Sequence, residues 1–359
     1  MAPNKSLILA KNPTGVPIPG EDLVVENEDI DLDAELDEGN VLAKTLYMSF
    51  DPFQRGRMRP ITTKSYVGGY PLGTALHNSG ILIILKSNNT SFSPGQLILG
   101  NAFFSEYQVI NKERLNLDPY KGGFLPFQNP LDLDLKVFLG ALGMSGLTAY
   151  SSFYEIGKPK KGETIFISAA SGAVGQIVGQ LAKREGMKVL GSVGSQEKLE
   201  YITTELGFDM GFNYKTEGEK GGLQRILKES GAGSLNVYYD NVGGPQLDAA
   251  LENMADFGRV IQCGSISQTS IPIPQQYGIK NMPQVIFRRL TLRGFIVFDP
   301  DMGPKYAEEH QKNTQKWIKD GSIVVKTHVT DGMDNAAKGL VGMLKGENFG
   351  KAVLQVAEA

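Results

Sequence analysis

Ile165-Phe-Ile-Ser168, Ala169-Ala-Ser-Gly-Ala-Val-Gly175 and the apolar-periodic run Gln176–Lys183 decide how the chain reads. A short β-branched and aromatic strand turns through small residues into an amphipathic helix. That geometry lets backbone N–H groups and a helix N-terminus hold a pyrophosphate. The spacing is Ala170-x-Gly172-x-x-Gly175, so alanine stands where the usual fingerprint has its first glycine. Alone the pattern is weak, because glycine-rich turns also serve packing; its strand–turn–helix setting strengthens it.

Outward from this turn, strands and helices alternate. Strands are expected at Thr164–Ser168, Lys188–Val193, Leu235–Asn241 and Arg259–Gly264, with helices near 174–186, 196–206, 220–230 and 245–256. Alternation of this kind predicts an α/β domain with a parallel sheet covered on both faces. Thr291–Phe298 adds a strand and Lys305–Lys319 a helix. Residues 1–135 are instead β-rich and punctuated by Gly, Pro, Asn and Ser, and residues 316–359 (strand Ile323–His328, helix Asn335–Leu344, strand Ala352–Val356) resemble them. The expected division is therefore 1–135 and 316–359 in one domain and 136–315 in the other.

With 359 residues there is room for two cores. A net charge of −3 and a pI near 5.8 give no reason to expect nucleic acid or an anionic membrane as partner. The N-terminal apolar stretch is too short for a secretory signal, and one cysteine fits a reducing, cytoplasmic setting. That Cys263 and three dispersed histidines (His77, His310, His328) make a poor donor set for zinc, so no metal is expected.

In a site of this kind, NAD is marked by an Asp or Glu at the end of the second strand, about 20 residues beyond the turn. Val189-Leu-Gly-Ser-Val-Gly-Ser195 has no acid, and Lys198 follows. Small residues beside a lysine suit a 2′-phosphate; the bland alternative is a solvated first-turn lysine. Tyr214, in Phe212-Asn-Tyr-Lys-Thr216, can add a hydroxyl. Together they favour NADPH/NADP+.

Several strings carry a resemblance over nearly the whole chain: Asp51-Pro-Phe-Gln-Arg-Gly-Arg-Met58, Gly143-Met-Ser-Gly-Leu-Thr-Ala-Tyr150, Tyr239-Asp-Asn-Val-Gly-Gly244, Cys263-Gly-Ser-Ile-Ser267, Gly294-Phe-Ile-Val297 and Gly342-Met-Leu-Lys-Gly-Glu-Asn-Phe-Gly-Lys351. With the glycine turn and the Lys198 and Tyr214 segments, they resemble the zinc-independent medium-chain reductases that include leukotriene B4 12-hydroxydehydrogenase/prostaglandin reductase and alkenal double-bond reductases. The resemblance implies a Rossmann domain beside a GroES-like β-barrel domain built from both chain ends. It implies a homodimer and a small-molecule substrate. It also implies cofactor contacts at Met144, Thr148, Gly172, Ala173, Val174, Gly175, Lys198, Tyr214, Asn241, Cys263, Gly264, Ser265, Ile266, Ser267, Thr269, Phe295, Ile296, Val297 and Asn348.

The implied reaction moves hydride to the β-carbon of an α,β-unsaturated ketone or aldehyde, leaving an enolate to be protonated. Hydroxyl-bearing rings of relatives are replaced here by Phe53, Thr269 and Phe287. The proton then comes from water, from the cofactor ribose, or from an unmatched Tyr66, Tyr70 or Tyr277. Phe53, Tyr66, Tyr70 and Phe287 are the expected pocket wall, which suits a bulky hydrophobic substrate. Quinone reduction, and a crystallin-like protein holding NADPH without turnover, are the competing readings.

Overall fold

The computed structural model describes Met1–Glu358. Its strands run β1 (Lys5–Leu9), β2 (Leu23–Asn27), β3 (Val41–Ser49), β4 (His77–Ser87), β5 (Leu97–Phe103), β6 (Tyr107–Ile110) and β7 (Phe124–Pro126) in the first stretch. β8 (Thr164–Ile167), β9 (Lys188–Val193), β10 (Met210–Asn213), β11 (Leu235–Asp240), β12 (Met254–Gln262) and β13 (Thr291–Gly294) follow. β14 (Thr327–Asp331) and β15 (Lys351–Gln355) end the chain.

Two compact units result. One comprises Met1–Leu139, Thr327–Asn348 and Ala352–Ala359; the other comprises Gly140–Lys326 and Phe349–Lys351. In the first, β1 and β2 pair antiparallel, and a larger sheet runs β14-β15-β3-β4-β5-β7 with β6 on β3. β3 is buried along almost its whole length. Its Met48, with Phe50, Leu82, Phe104, Leu340 and Leu354, belongs to a core in which Phe50 stacks on Phe104 at 5.6 Å.

The second unit is a six-stranded sheet in the order β10-β9-β8-β11-β12-β13, and the paired strands in it are parallel. This is the doubly wound Rossmann order, with its switch point between β8 and β11. Period-two alternation sends Ile165, Ile167, Val237 and Tyr239 into one core and Phe166 and Tyr238 into another, so both faces are covered. Phe166 stacks on Tyr238 at 5.3 Å and on Phe212 at 6.0 Å.

Four expectations need correction. The helix placed at 245–256 stops at Glu252, and β12 begins at Met254 rather than Arg259. β13 ends at Gly294 because Ile296 N–H turns to Asp299 Oδ2 and Gly303 N–H to the Val297 carbonyl. Residues 323–326 are not strand, because two glutamines of the Gly175–Arg184 helix take their backbone groups. Gln180 bonds both N–H and C=O of Val324, and Gln176 those of Lys326. The division at 315/316 moves to 326/327, since the Gly303–Lys319 helix packs inside the second unit through His310 on the Ala141 carbonyl and Glu309 on the Tyr150 hydroxyl. Among the described residues no helix is long and apolar enough to cross a membrane.

Candidate cofactor and active site

The glycine turn leaves β8 at the switch point. Ala169 sits at φ 50°, and Ala170 donates its N–H to Ser192 O of neighbouring β9 at 3.0 Å. Gly172, Ala173 and Val174 are partly open to solvent within otherwise buried surroundings. Gly175 opens a ten-residue helix, and a Cβ there would lie 2.5 Å from Ala169 O and 2.8 Å from Ala170 Cα. Only glycine fits this close approach of helix to strand, as a backbone-lined phosphate cradle requires. Gly172 also bridges Gly350 in the Phe349–Lys351 segment.

Past β9, Ser195 caps the next helical turn by accepting from Lys198 N–H at 3.3 Å. Lys198 is half-buried, and its ammonium titrates below the usual lysine range, chiefly through burial and next through Lys215. β10 pairs with β9 so that Asn213 lies opposite Val193, which delivers Tyr214 to the same strand end. A Cβ on Gly194 would sit 3.2 Å from Tyr214 Oη and 3.3 Å from Lys215 Cε. Burial raises the Tyr214 phenol, so it stays a neutral donor. Sequence reasoning missed Lys215, although the phase of the short Tyr214 turn was its signal.

The other strand ends are tied by Asp240, which is fully buried. Its Oδ1 accepts from Tyr238 Oη (2.8 Å), Val242 N (3.0 Å) and Gly243 N (2.7 Å), and Oδ2 accepts from Gln262 Nε2 (3.0 Å). Asn241 is held from both ends, its N–H on Ser168 Oγ and its Nδ2 on Ser168 O. The Gly243-Gly244 turn has positive φ at both residues and packs on Ser265, Ser267 and Gln268. Gly264, Ser265, Ile266, Ser267 and Thr269 therefore lie directly beyond β12. Cys263 is half-buried beside Tyr239, and desolvation pushes its thiol up to about 12, which removes thiolate chemistry at neutral pH. Met144 and Thr148, one turn apart, are the partly exposed residues of the Met144–Ser152 helix. Phe295 packs on the core, with Ile296 and Val297 in the turn after β13. Thus the expected cofactor residues of this unit gather past the carboxyl ends of its strands, apart from Met144 and Thr148 on their helix. Asn348 belongs to the other unit.

The hydroxyls weighed as proton donors differ in availability. Tyr70 is buried and donates to His77 O at 2.8 Å, so it is a core residue. Tyr277 donates to Asp248 Oδ2 at 2.9 Å, and Thr269 to Ser265 O at 3.0 Å. Tyr66 is exposed, lies near Arg57 and Arg59, and makes no hydrogen bond through its hydroxyl among the described residues. Phe53 is half-buried, whereas Phe287 is 66% exposed, so it is surface in the monomer.

Zinc does not fit. His77 accepts from Arg57 Nη2 at 2.8 Å and faces Asn101 Oδ1 through its other nitrogen, while His310 donates to Ala141 O. Among the described residues no group of three or more His, Cys, Asp or Glu is placed to hold a metal.

Two family models match the chain: "zinc-binding dehydrogenase" over residues 173–312 and "N-terminal domain of oxidoreductase" over residues 5–117. The NADP-dependent oxidoreductase RED1 of Cochliobolus heterostrophus is 49% identical, covering 100% of this chain and 99% of its own. The chain belongs to the medium-chain dehydrogenase/reductase family. A tobacco (Nicotiana tabacum) NADP(+)-dependent 2-alkenal reductase is 39% identical over 99% of this chain and 98% of its own. CurA of Vibrio vulnificus, solved in complex with NADPH, superposes with a TM-score of 0.86 at 29% identity, covering 99% of this chain and 100% of that one. This family member is an oxidoreductase, and the cofactor its strand ends fit is NADPH. The Gly175 cradle suits the pyrophosphate, and the acid-free β9 end with Lys198 and Tyr214 suits the 2′-phosphate.

Proposed function

We propose that this enzyme reduces the C=C bond of α,β-unsaturated ketones and aldehydes, adding hydride at the β-carbon and a proton at the α-carbon. The observation that carries this reading is the end-to-end likeness to a 2-alkenal reductase, joined to the lack, among the described residues, of any cluster of His, Cys, Asp or Glu that could hold a metal. NADPH, when bound, supplies the hydride. Gly172, Ala173, Val174 and Gly175 hold the pyrophosphate; Lys198 and Tyr214 hold the 2′-phosphate. Met144, Thr148, Asn241, Cys263–Thr269 and Phe295–Val297 complete the cofactor contacts of this unit. Asp240 and Ser168 fix the Asn241 and Gly243 backbone, and so keep the donors of this edge in place without a metal.

For the proton we assign water or the ribose hydroxyl first, with Tyr66 next, since of Tyr66, Tyr70, Thr269 and Tyr277 it alone makes no hydrogen bond through its hydroxyl among the described residues. Phe53, in place of a hydroxyl-bearing ring, favours a bulky apolar substrate. The first unit is read as the GroES-like domain. A homodimer is proposed through β13, the sheet edge, flanked by exposed Ile286, Phe287 and Phe298. The activity is tested by following NADPH oxidation with a panel of enals, enones and quinones. A product heavier by two hydrogens with its carbonyl intact supports the proposal; turnover of quinones alone contradicts it.

A further inference from the structure

We propose that Lys215 is a second cation for the cofactor's 2′-phosphate and acts with Lys198 to set the preference for NADPH over NADH. This rests on the NADPH reading of the β9 end.

The geometry starts from Gly194. Side chains of two successive residues, Tyr214 and Lys215, fold back onto this one glycine, within 3.2 and 3.3 Å of where its Cβ would stand. Successive residues converge in this way because the chain leaves β10 through a tight helical turn at Tyr214–Glu217. Asn213 caps that turn by accepting from Lys215 N–H at 3.1 Å. A Cβ at 194 would make both side chains give way by a few tenths of an ångström. Lys198 lies in the turn after β9, close enough for the charge of Lys215 to lower its pKa.

The acid on the Lys215 turn is committed elsewhere. Glu217 is taken by Arg225, with Arg225 Nε at 2.6 Å and Nη2 at 3.1 Å. Glu197 is exposed and acts on Lys198, while Glu219 acts on Tyr214. The ammonium of Lys215 has no carboxylate partner among the described residues. Two lysines and a neutral phenol at one strand end are stabilised when a dianion enters. A phosphate monoester, carrying roughly −1.5 to −2 at neutral pH, matches two lysines better than one. A 2′-hydroxyl gains nothing from the second lysine.

The test is calorimetric titration of the full-length protein with NADPH, NADH and adenosine 2′,5′-bisphosphate for the parent, Lys215→Met, Lys215→Arg and Lys198→Ala. Lys215→Met is expected to weaken NADPH and the bisphosphate by about tenfold, the scale of one charged hydrogen bond. NADH affinity stays within about twofold, Lys215→Arg stays near the parent, and the salt dependence of NADPH binding becomes shallower. An unchanged melting temperature separates these effects from misfolding. If Lys215→Met leaves NADPH and the bisphosphate unaltered while Lys198→Ala weakens both, Lys215 is a surface lysine and the proposal falls. If neither substitution changes the NADPH-to-NADH ratio, the NADPH reading of this strand end falls with it.

Discussion

Ala170 and Gly191 are a matched pair on adjacent strands: a Cβ on Gly191 would lie 2.8 Å from the Cβ of Ala170 and 2.9 Å from the Phe208 ring. The fingerprint position usually held by glycine carries a methyl group here, and the space for it comes from β9. Gly191→Ala is expected to destabilise the protein by about 1–3 kcal/mol through overpacking. Ala170→Gly in the same chain should recover part of that loss, because only the Phe208 contact remains. Chemical denaturation of both variants checks the order.

Gly175→Ala should be more severe for the cofactor than for the fold. Its Cβ meets backbone atoms of Ala169 and Ala170, which cannot step aside as a side-chain end can. The helix start must shift away from the turn, so NADPH and NADH should weaken together by about tenfold or more. Equal loss for both dinucleotides in a binding titration is the expected sign of damage to the pyrophosphate cradle.

Lys198→Ala should behave differently. Loss of a charged hydrogen bond to the 2′-phosphate costs about 1.5–3 kcal/mol of NADPH binding and leaves NADH nearly unchanged. Equal loss for both would place Lys198 outside the 2′-phosphate site.

Two histidines make stability depend on pH. Burial lowers both His77 and His310 to about 4, against 6.5 for a free histidine. The unfolded chain therefore binds protons that the folded protein refuses. The histidine contribution to stability is complete above pH 6.5 and declines as pH falls from 6.5 toward 4, by up to about 1.4 kcal/mol per pH unit for each group. His310→Gln keeps a donor for Ala141 O and removes one of the two titrations. Urea melts between pH 7 and 4.5 should show a shallower pH slope for this variant than for the parent.

Tyr66→Phe separates the proton sources. If its exposed hydroxyl delivers the proton, kcat should fall by at least about 100-fold with unchanged NADPH affinity. If water or the ribose serves, kcat stays within about twofold, which is the expected outcome. Tyr277→Phe should instead cost stability alone, by about 1 kcal/mol, through its bond to Asp248.

The sheet was legible because β8, β9 and β11 are short, apolar and bounded by turn residues, as doubly covered strands must be. The glycine turn and the missing acid after Val193 were legible for the same reason: local backbone geometry and local charge leave local signatures. Residues 323–326 read as strand because Ile323-Val-Val325 is a β-branched run, but long-range bonds from Gln176 and Gln180 take the place of a ladder. The boundary at 326 was hidden likewise, since the His310 and Glu309 contacts that draw the Gly303–Lys319 helix into the second unit span more than 150 residues. Lys215 escaped because only a capped turn after β10 brings it back over Gly194. Nothing in the sequence around Tyr70 says that its hydroxyl is spent on a carbonyl.

The most direct test of the central claim is the position of the label after turnover of a hydrophobic aryl enone with NADPH deuterated at the transferring C4 hydrogen. Deuterium on the former β-carbon of a saturated ketone is the predicted result. Deuterium on the carbonyl carbon of an alcohol, or NADPH that binds without being consumed by any enone or enal, would contradict the account.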